Sequence, residues 1–129
     1  MWQDFGEYIL SEAGDKNVKI AEVAVGKFDM ISKMLEKKEN ITLIKTDISP
    51  KDSTVIKDDI TNPNLDIYKG TDIVYSIRPP SELQPHIVKL AEKLDSQLII
   101  KPLTNEDLNT GRVKMKLKNF GRASFYTLR

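Results

Sequence analysis

The chain contains no cysteine. Disulfides, thiolate metal sites and cysteine nucleophiles are therefore excluded, and a disulfide-free chain fits a reducing compartment. There is a single histidine, His86. It falls between Leu83 and Ile87 on the flank of a helical pattern, no other residue supports a triad around it, and it is expected at the surface. Long apolar runs are missing too, and none approaches the ~20 residues of a membrane helix. Met1 to Glu7 has neither a basic region nor an apolar core, so no signal peptide is expected and the protein is read as cytoplasmic. An excess of one charge sign is also absent. Twenty Lys and Arg stand against 19 Asp and Glu, a net charge of +1, which gives no global attraction to nucleic acid or to an anionic membrane.

What is present is enough apolar material for one core: 40% of 129 residues are hydrophobic. Residues 1–129 are read as a single domain. Trp2, Phe5, Ile9 and Ala13 recur at helical spacing, and Gly14 should end that helix. Ile20 to Val25 is an apolar run holding one acid, Glu22, and it meets Gly26, where a second helix is expected to begin and run to about Lys38. Short strands are expected at Ile41 to Lys45, Val55 to Lys57, Asp72 to Ile77 and Gln97 to Ile100. Between the last two, Ser81 is the expected cap of a helix whose stripe is Leu83, Ile87, Leu90, Ala91 and Leu94.

Strands alternating with helices predict a parallel sheet. Leu103 to Gly111 reads as a polar loop. Val113, Met115 and Leu117 then alternate with Lys114, Lys116 and Lys118, a half-buried strand, and Ala123 to Leu128 returns after a turn at Asn119 to Gly121. The expected fold is therefore α/β: a compact, trimmed Rossmann-type, mostly parallel sheet with helices on its faces and a C-terminal antiparallel hairpin. The trimming is inferred from length. Only Ile48 to Thr54 separates the second and third strands, too few for a crossover helix.

Glu22 to Gly26, Thr46-Asp47, Asp58-Asp59 and Asp72 to Leu83, with Tyr75 to Pro80 the most specific part, resemble an uncharacterised family of small archaeal proteins with a methyltransferase-like Rossmann fold. The layout is more distantly similar to S-adenosylmethionine-dependent methyltransferases. Their first loop reads Glu/Asp-x-Gly-x-Gly-x-Gly. Here only Gly26 matches, with Ala24 and Phe28 standing at the other two glycine positions. The resemblance implies S-adenosylmethionine, or another adenosine-type ligand, as the cofactor.

Each candidate residue has a functional and a structural reading. Glu22 would hold the ligand or its loop, or pair internally, since a buried carboxylate needs a partner. Asp47 follows the second strand, where Rossmann folds place an acid on ribose hydroxyls; otherwise it caps the turn before Ser49-Pro50. Asp58 and Asp59 could accept from an adenine amino group, hold a divalent cation, or serve as turn acids. Ala24, Gly26 and Ser76 complete the expected cofactor set. Arg78, Pro79 and Pro80 lie where amino-methylating enzymes carry a Pro-Pro motif. Arginine cannot accept a hydrogen bond from a target amine, but it binds carboxylate or phosphate in bidentate fashion; its structural alternative is an ion pair with Glu82 or Asp72. No acid lies between Arg112 and Arg129, so Lys114, Lys116 and Lys118 could track RNA phosphates or protect a sheet edge. Two functions from different classes follow: an adenosine-ligand-binding protein, methyltransferase if an enzyme, or a catalytically inactive Rossmann domain acting as an interaction or RNA-contacting module.

Overall fold

The computed structural model describes residues 1–102 and 108–129; residues 103–107 of the expected polar loop lie outside the described residues. The elements are α1 (Trp2–Ala13), β1 (Val18–Val23), α2 (Met30–Glu36), β2 (Ile41–Asp47), β3 (Ile56–Lys57), β4 (Ile73–Ile77), α3 (Gln84–Leu94), β5 (Gln97–Lys101), β6 (Lys116–Phe120) and β7 (Ala123–Leu128). Seven strands form one sheet in the order β3-β2-β1-β4-β5-β7-β6. The first five run parallel, and β7 pairs antiparallel with both β5 and β6. The strand order reverses between β1 and β4, which is where sheets of this kind open a crevice beyond their carboxyl ends.

Side chains alternate along each strand and divide the core in two. Ile20, Ile73, Tyr75, Ile77, Ile99 and Phe125 face α1 and α2. Ala21, Val23, Val74, Leu98 and Ile100 face α3 and Tyr68. On the first side α1 lies across the hairpin: Phe5 and Tyr8 stack on Phe125 at 5.2 and 4.6 Å, and Tyr8 meets Phe120 at 5.6 Å.

Most strand ends shift by one or two residues, and β1 stops at Val23 where Val25 was expected; three further differences from the sequence expectation bear on the site and the hairpin. Helix α2 starts at Met30, not Gly26, because Ala24 and Gly26 both take left-handed backbone angles, φ 53° and 63°, which no right-handed helix contains. Ser81 caps no helix. It opens a 3-10 turn, Ser81–Leu83, and the α-helix begins at Gln84. Val113 and Met115 lie outside β6, because the Val113 amide and carbonyl are held in a turn by the Thr110 carbonyl and hydroxyl at 3.3 and 2.6 Å. Lys114 therefore does not share a strand with Lys116 and Lys118. The shortened crossovers are as expected: β3 is two residues long, and a single 3-10 turn, Leu65–Tyr68, leads to β4.

The turn of the hairpin is also fastened to α1. Gly121 has φ +59°, and a Cβ there would lie 2.5 to 2.8 Å from the Asp4 carboxylate, whose Oδ2 accepts the Arg122 N–H at 2.8 Å. Gly121→Ala should therefore lower stability by about 1–3 kcal/mol, seen as an earlier urea midpoint. An unchanged midpoint would show that α1 and the hairpin are not tightly coupled.

Candidate functional site

Beyond the carboxyl ends of β1, β2 and β3 lies a cavity of about 220 Å³. Its walls combine two chemistries. Ile48, Ile60 and Leu83 are aliphatic, Asp47, Asp58 and Asp59 are acidic, and Ala24 and Thr46 complete the lining. Leu83 arrives there because Pro79 and Pro80 turn the chain sharply after β4: the Pro79 carbonyl accepts from the Gln84 amide side chain at 3.1 Å, and the Pro80 carbonyl from the Leu83 N–H at 3.0 Å. Ile48, Ile60 and Leu83 escaped the sequence reading. For Ile48 and Ile60 the signal is an apolar side chain directly beside a strand-end acid; Leu83 carries no such signal, since it begins the apolar stripe of a helical pattern.

The acids are fixed by the loops they sit in. Asp47 Oδ2 accepts the Gly26 N–H and Oδ1 the Ser49 N–H, both at 2.9 Å. Asp58 Oδ1 accepts the Asn64 N–H at 3.1 Å, and Oδ2 accepts the Tyr68 hydroxyl at 2.7 Å. Tyr68 is itself buried and bonded to the Thr46 hydroxyl at 3.0 Å. Burial and the Asp58 carboxylate push the Tyr68 phenol above its ordinary range. Asp59 accepts from the Thr61 N–H and hydroxyl through Oδ1 alone, at 2.9 and 2.7 Å. Those donors hold its carboxyl below the usual range. Its Oδ2 takes no hydrogen bond from the described residues.

Ala24, Asp47, Asp58 and Asp59 are thus brought together, with Gly26 tied to them through Asp47. Glu22 and Ser76 are placed elsewhere. The buried Ser76 hydroxyl donates to the Val23 carbonyl at 2.8 Å, tying β4 to the end of β1. Glu22 is 1% exposed and flanked in register by Lys45 of β2 and Tyr75 of β4. It accepts the Tyr75 hydroxyl at 2.7 Å. Burial pushes its carboxyl up to about 7, while Tyr75, Lys45 and Lys51 pull down and Asp29 pushes up. Lys45 and Lys51 are engaged in turn with Glu36 and Asp29 at 3.3 and 3.6 Å.

Arg78 stands at the end of β4 with φ 52°. The expected ion pairs with Glu82 or Asp72 do not form. Asp72 is at the opposite end of β4, accepting the Lys19 N–H at 2.9 Å, and no described carboxylate lies within salt-bridge distance of Arg78. Its guanidinium instead rests over Trp2 and Phe28, 5.4 and 5.2 Å from the ring centroids. Left-handed backbone at a non-glycine residue costs on the order of 1–3 kcal/mol, and an exposed cation–π contact returns about 0.5–1 kcal/mol. Packing alone does not account for an arginine there.

On the hairpin, every residue of β6 is exposed, and Lys118 lies over the Tyr8 ring at 5.5 Å. His86 is half-buried on α3. Among the described residues, no group of three or more His, Asp or Glu is arranged to hold a metal ion, and no helix is long and apolar enough to cross a membrane.

Reversed strand order, an acid-lined mouth beside it and a final strand inserted antiparallel define a methyltransferase-like Rossmann protein. The solved structures agree. An S-adenosyl-L-methionine methyl transferase from Silicibacter pomeroyi matches with TM-score 0.66 and 10% identity, over 99% of this chain and 91% of that one. A SAM-dependent methyltransferase from Aquifex aeolicus matches with TM-score 0.59 and 14% identity, over 95% of this chain and 87% of that one. At such identities the likeness is one of fold. By sequence, the chain belongs to the uncharacterised protein family UPF0146, whose profile covers residues 2–129. Members from Methanothermobacter thermautotrophicus and Methanocaldococcus jannaschii are 42% and 39% identical, over 98% and 93% of this chain and 93% and 90% of their own lengths.

The buried acid generates a prediction. Folding raises Glu22 from 4.5 to about 7, so between those values the folded chain keeps a proton that the unfolded chain has released. Its contribution to stability is greatest below the lower value, falls as pH rises to the upper one and stays low beyond it. Relative to Glu22→Gln, the wild type should lose on the order of 2–3 kcal/mol between pH 4.5 and 7, measured by urea unfolding across that range. Parallel curves for the two proteins would contradict the assignment.

Proposed function

We propose that the protein binds S-adenosylmethionine, or a related adenosine nucleotide, in the cavity at the ends of β1, β2 and β3. The observation carrying this reading is the pairing of aliphatic walls with an acid rim. Ile48, Ile60 and Leu83 offer apolar surface to both faces of a purine. Carboxylate oxygens accept from what an adenosine presents: ribose hydroxyls and an exocyclic amine. Each carboxylate oxygen has two acceptor sites, so Asp47 can hold Gly26 and Ser49 and still accept from ribose. Asp59 Oδ2 suits the amine, with Asp58 and Tyr68 bracing the loop that carries it.

The residues fit the adenosine half of such a ligand. Ligand pockets for drug-sized molecules hold roughly 300–1,000 Å³, and this cavity of about 220 Å³ matches a nucleoside portion, with the remainder running past Ala24 toward Gly26. There the usual glycine cradle is altered by the Ala24 methyl. S-adenosylmethionine, when bound, would supply an electrophilic methyl group; the chain's own residues bind and orient. The structural likeness to methyltransferases supports the choice of ligand class, and a transfer activity would rest on it.

S-adenosylhomocysteine at ~100 times its dissociation constant should stabilise the fold by about 2.7 kcal/mol, read as a raised melting temperature. Ile48 is 55% exposed, so Ile48→Asp should leave the unliganded melting temperature unchanged. It should weaken binding at least ~10-fold, about 1.4 kcal/mol, by adding charge to an apolar wall beside Asp47. No stabilisation by S-adenosylhomocysteine, S-adenosylmethionine or ATP would remove the proposal.

A second reading is favoured by the exposed edge strand β6: a catalytically silent module contacting RNA through Lys116 and Lys118, with Lys114 beside them. Replacing Lys116 and Lys118 should then lower the salt dependence of RNA binding by about two in slope. No RNA binding at low salt would leave these lysines as protection of the sheet edge.

A further inference from the structure

The end of β4 carries an arginine that does not line the acid-lined cavity. Arg78 leaves β4 in the left-handed region, φ 52°, a conformation that favours glycine, with its N–H held on the Lys101 carbonyl at 2.6 Å. Its neighbour across the switch point, Ala24, has φ 53°. Strained non-glycine residues gather where function holds them in place. The guanidinium lies over two rings that touch each other, Trp2 and Phe28, whose centroids are 4.6 Å apart. Arg78 is exposed, so the guanidinium meets solvent where the rings do not cover it. A guanidinium has five N–H donors in a rigid fork, and among the described residues no carboxylate lies within salt-bridge distance of this one.

We infer that Arg78 is the anchor of a second binding site, for a small carboxylic acid with an apolar or aromatic body. The fork matches the two oxygens of a carboxylate, one positive charge suits one negative charge, and the rings beside it provide apolar contact. Holding the guanidinium against the rings before the ligand arrives lowers the cost of ordering it. Pro79 and Pro80 follow and fix the chain direction, because each proline locks its own φ. The site does not rest on the adenosine reading, since it lies on the α1 side of the sheet and uses none of the acids.

Benzoate is the probe, and Trp2, the only tryptophan, is the reporter. Trp2 emission should change saturably as benzoate is added to the protein without any adenosine ligand, with a dissociation constant of ~1 mM. Arg78→Lys keeps the charge and the ring contact but loses the fork, and should weaken benzoate at least ~10-fold. Arg78→Gly suits the backbone angle, so it should melt no earlier than the wild type and show no benzoate response. Inorganic phosphate should compete poorly. The inference is overturned by a wild type that gives no saturable change at ~10 mM benzoate, by variants that bind as the wild type does, or by phosphate that binds more tightly than benzoate. A failure here leaves the response to S-adenosylhomocysteine untouched, so the two sites are judged separately.

Discussion

The Asp47 carboxylate holds the mouth of the sheet in shape. One oxygen takes the Gly26 amide and the other the Ser49 amide, so a single side chain fixes the loops after β1 and β2 together. Those loops cannot be held by strand pairing. Beyond Val23 the chain turns left-handed at Ala24, and its last sheet-like contact is the Val25 N–H on the Thr46 carbonyl at 3.3 Å. Charged acceptors make the stronger hydrogen bonds, about 1.5–3 kcal/mol each, so Asp47 is structural before any ligand arrives.

The short crossovers decide what kind of cavity results. With β3 reduced to two residues, the far wall is a loop, and it needs its own brace. Asp58 supplies that by holding Asn64 and the buried Tyr68, which joins the wall to the α3-side core. The site is therefore shallow but well anchored. Its walls are side chains of strand-end loops on a rigid sheet, the arrangement in which loops carry function and the scaffold carries stability.

Much of this was legible in the chain. β1, β2, β4 and β5 announce themselves as short apolar runs, and α3 as a stripe from Leu83 to Leu94, because both signals are local. The meeting of Ala24, Asp47, Asp58 and Asp59 was legible too, since all four follow parallel strands and parallel strands end on one side. What failed to show depends on backbone angles or on distant partners. Gly26 looks like a helix start, yet its positive φ delays α2 to Met30. The insertion of β7 between β5 and β6 is a pairing that no local pattern encodes. Glu22 differs in kind. Strand alternation sets it on the same side as Ile20, facing α2 and away from the α3 layer, and that parity could have been read. The Arg78 platform could not, because it joins Trp2 of the first helix to a turn far along the chain.

The most direct measurement is a titration of the isotopically labelled protein with S-adenosylhomocysteine, followed amide by amide in proton–nitrogen spectra. The account predicts saturable shifts concentrated at Ala24, Gly26, Asp47, Ile48, Asp59 and Ile60, with β6 unmoved. Spectra that do not change at millimolar ligand, or shifts confined to the hairpin, would contradict it.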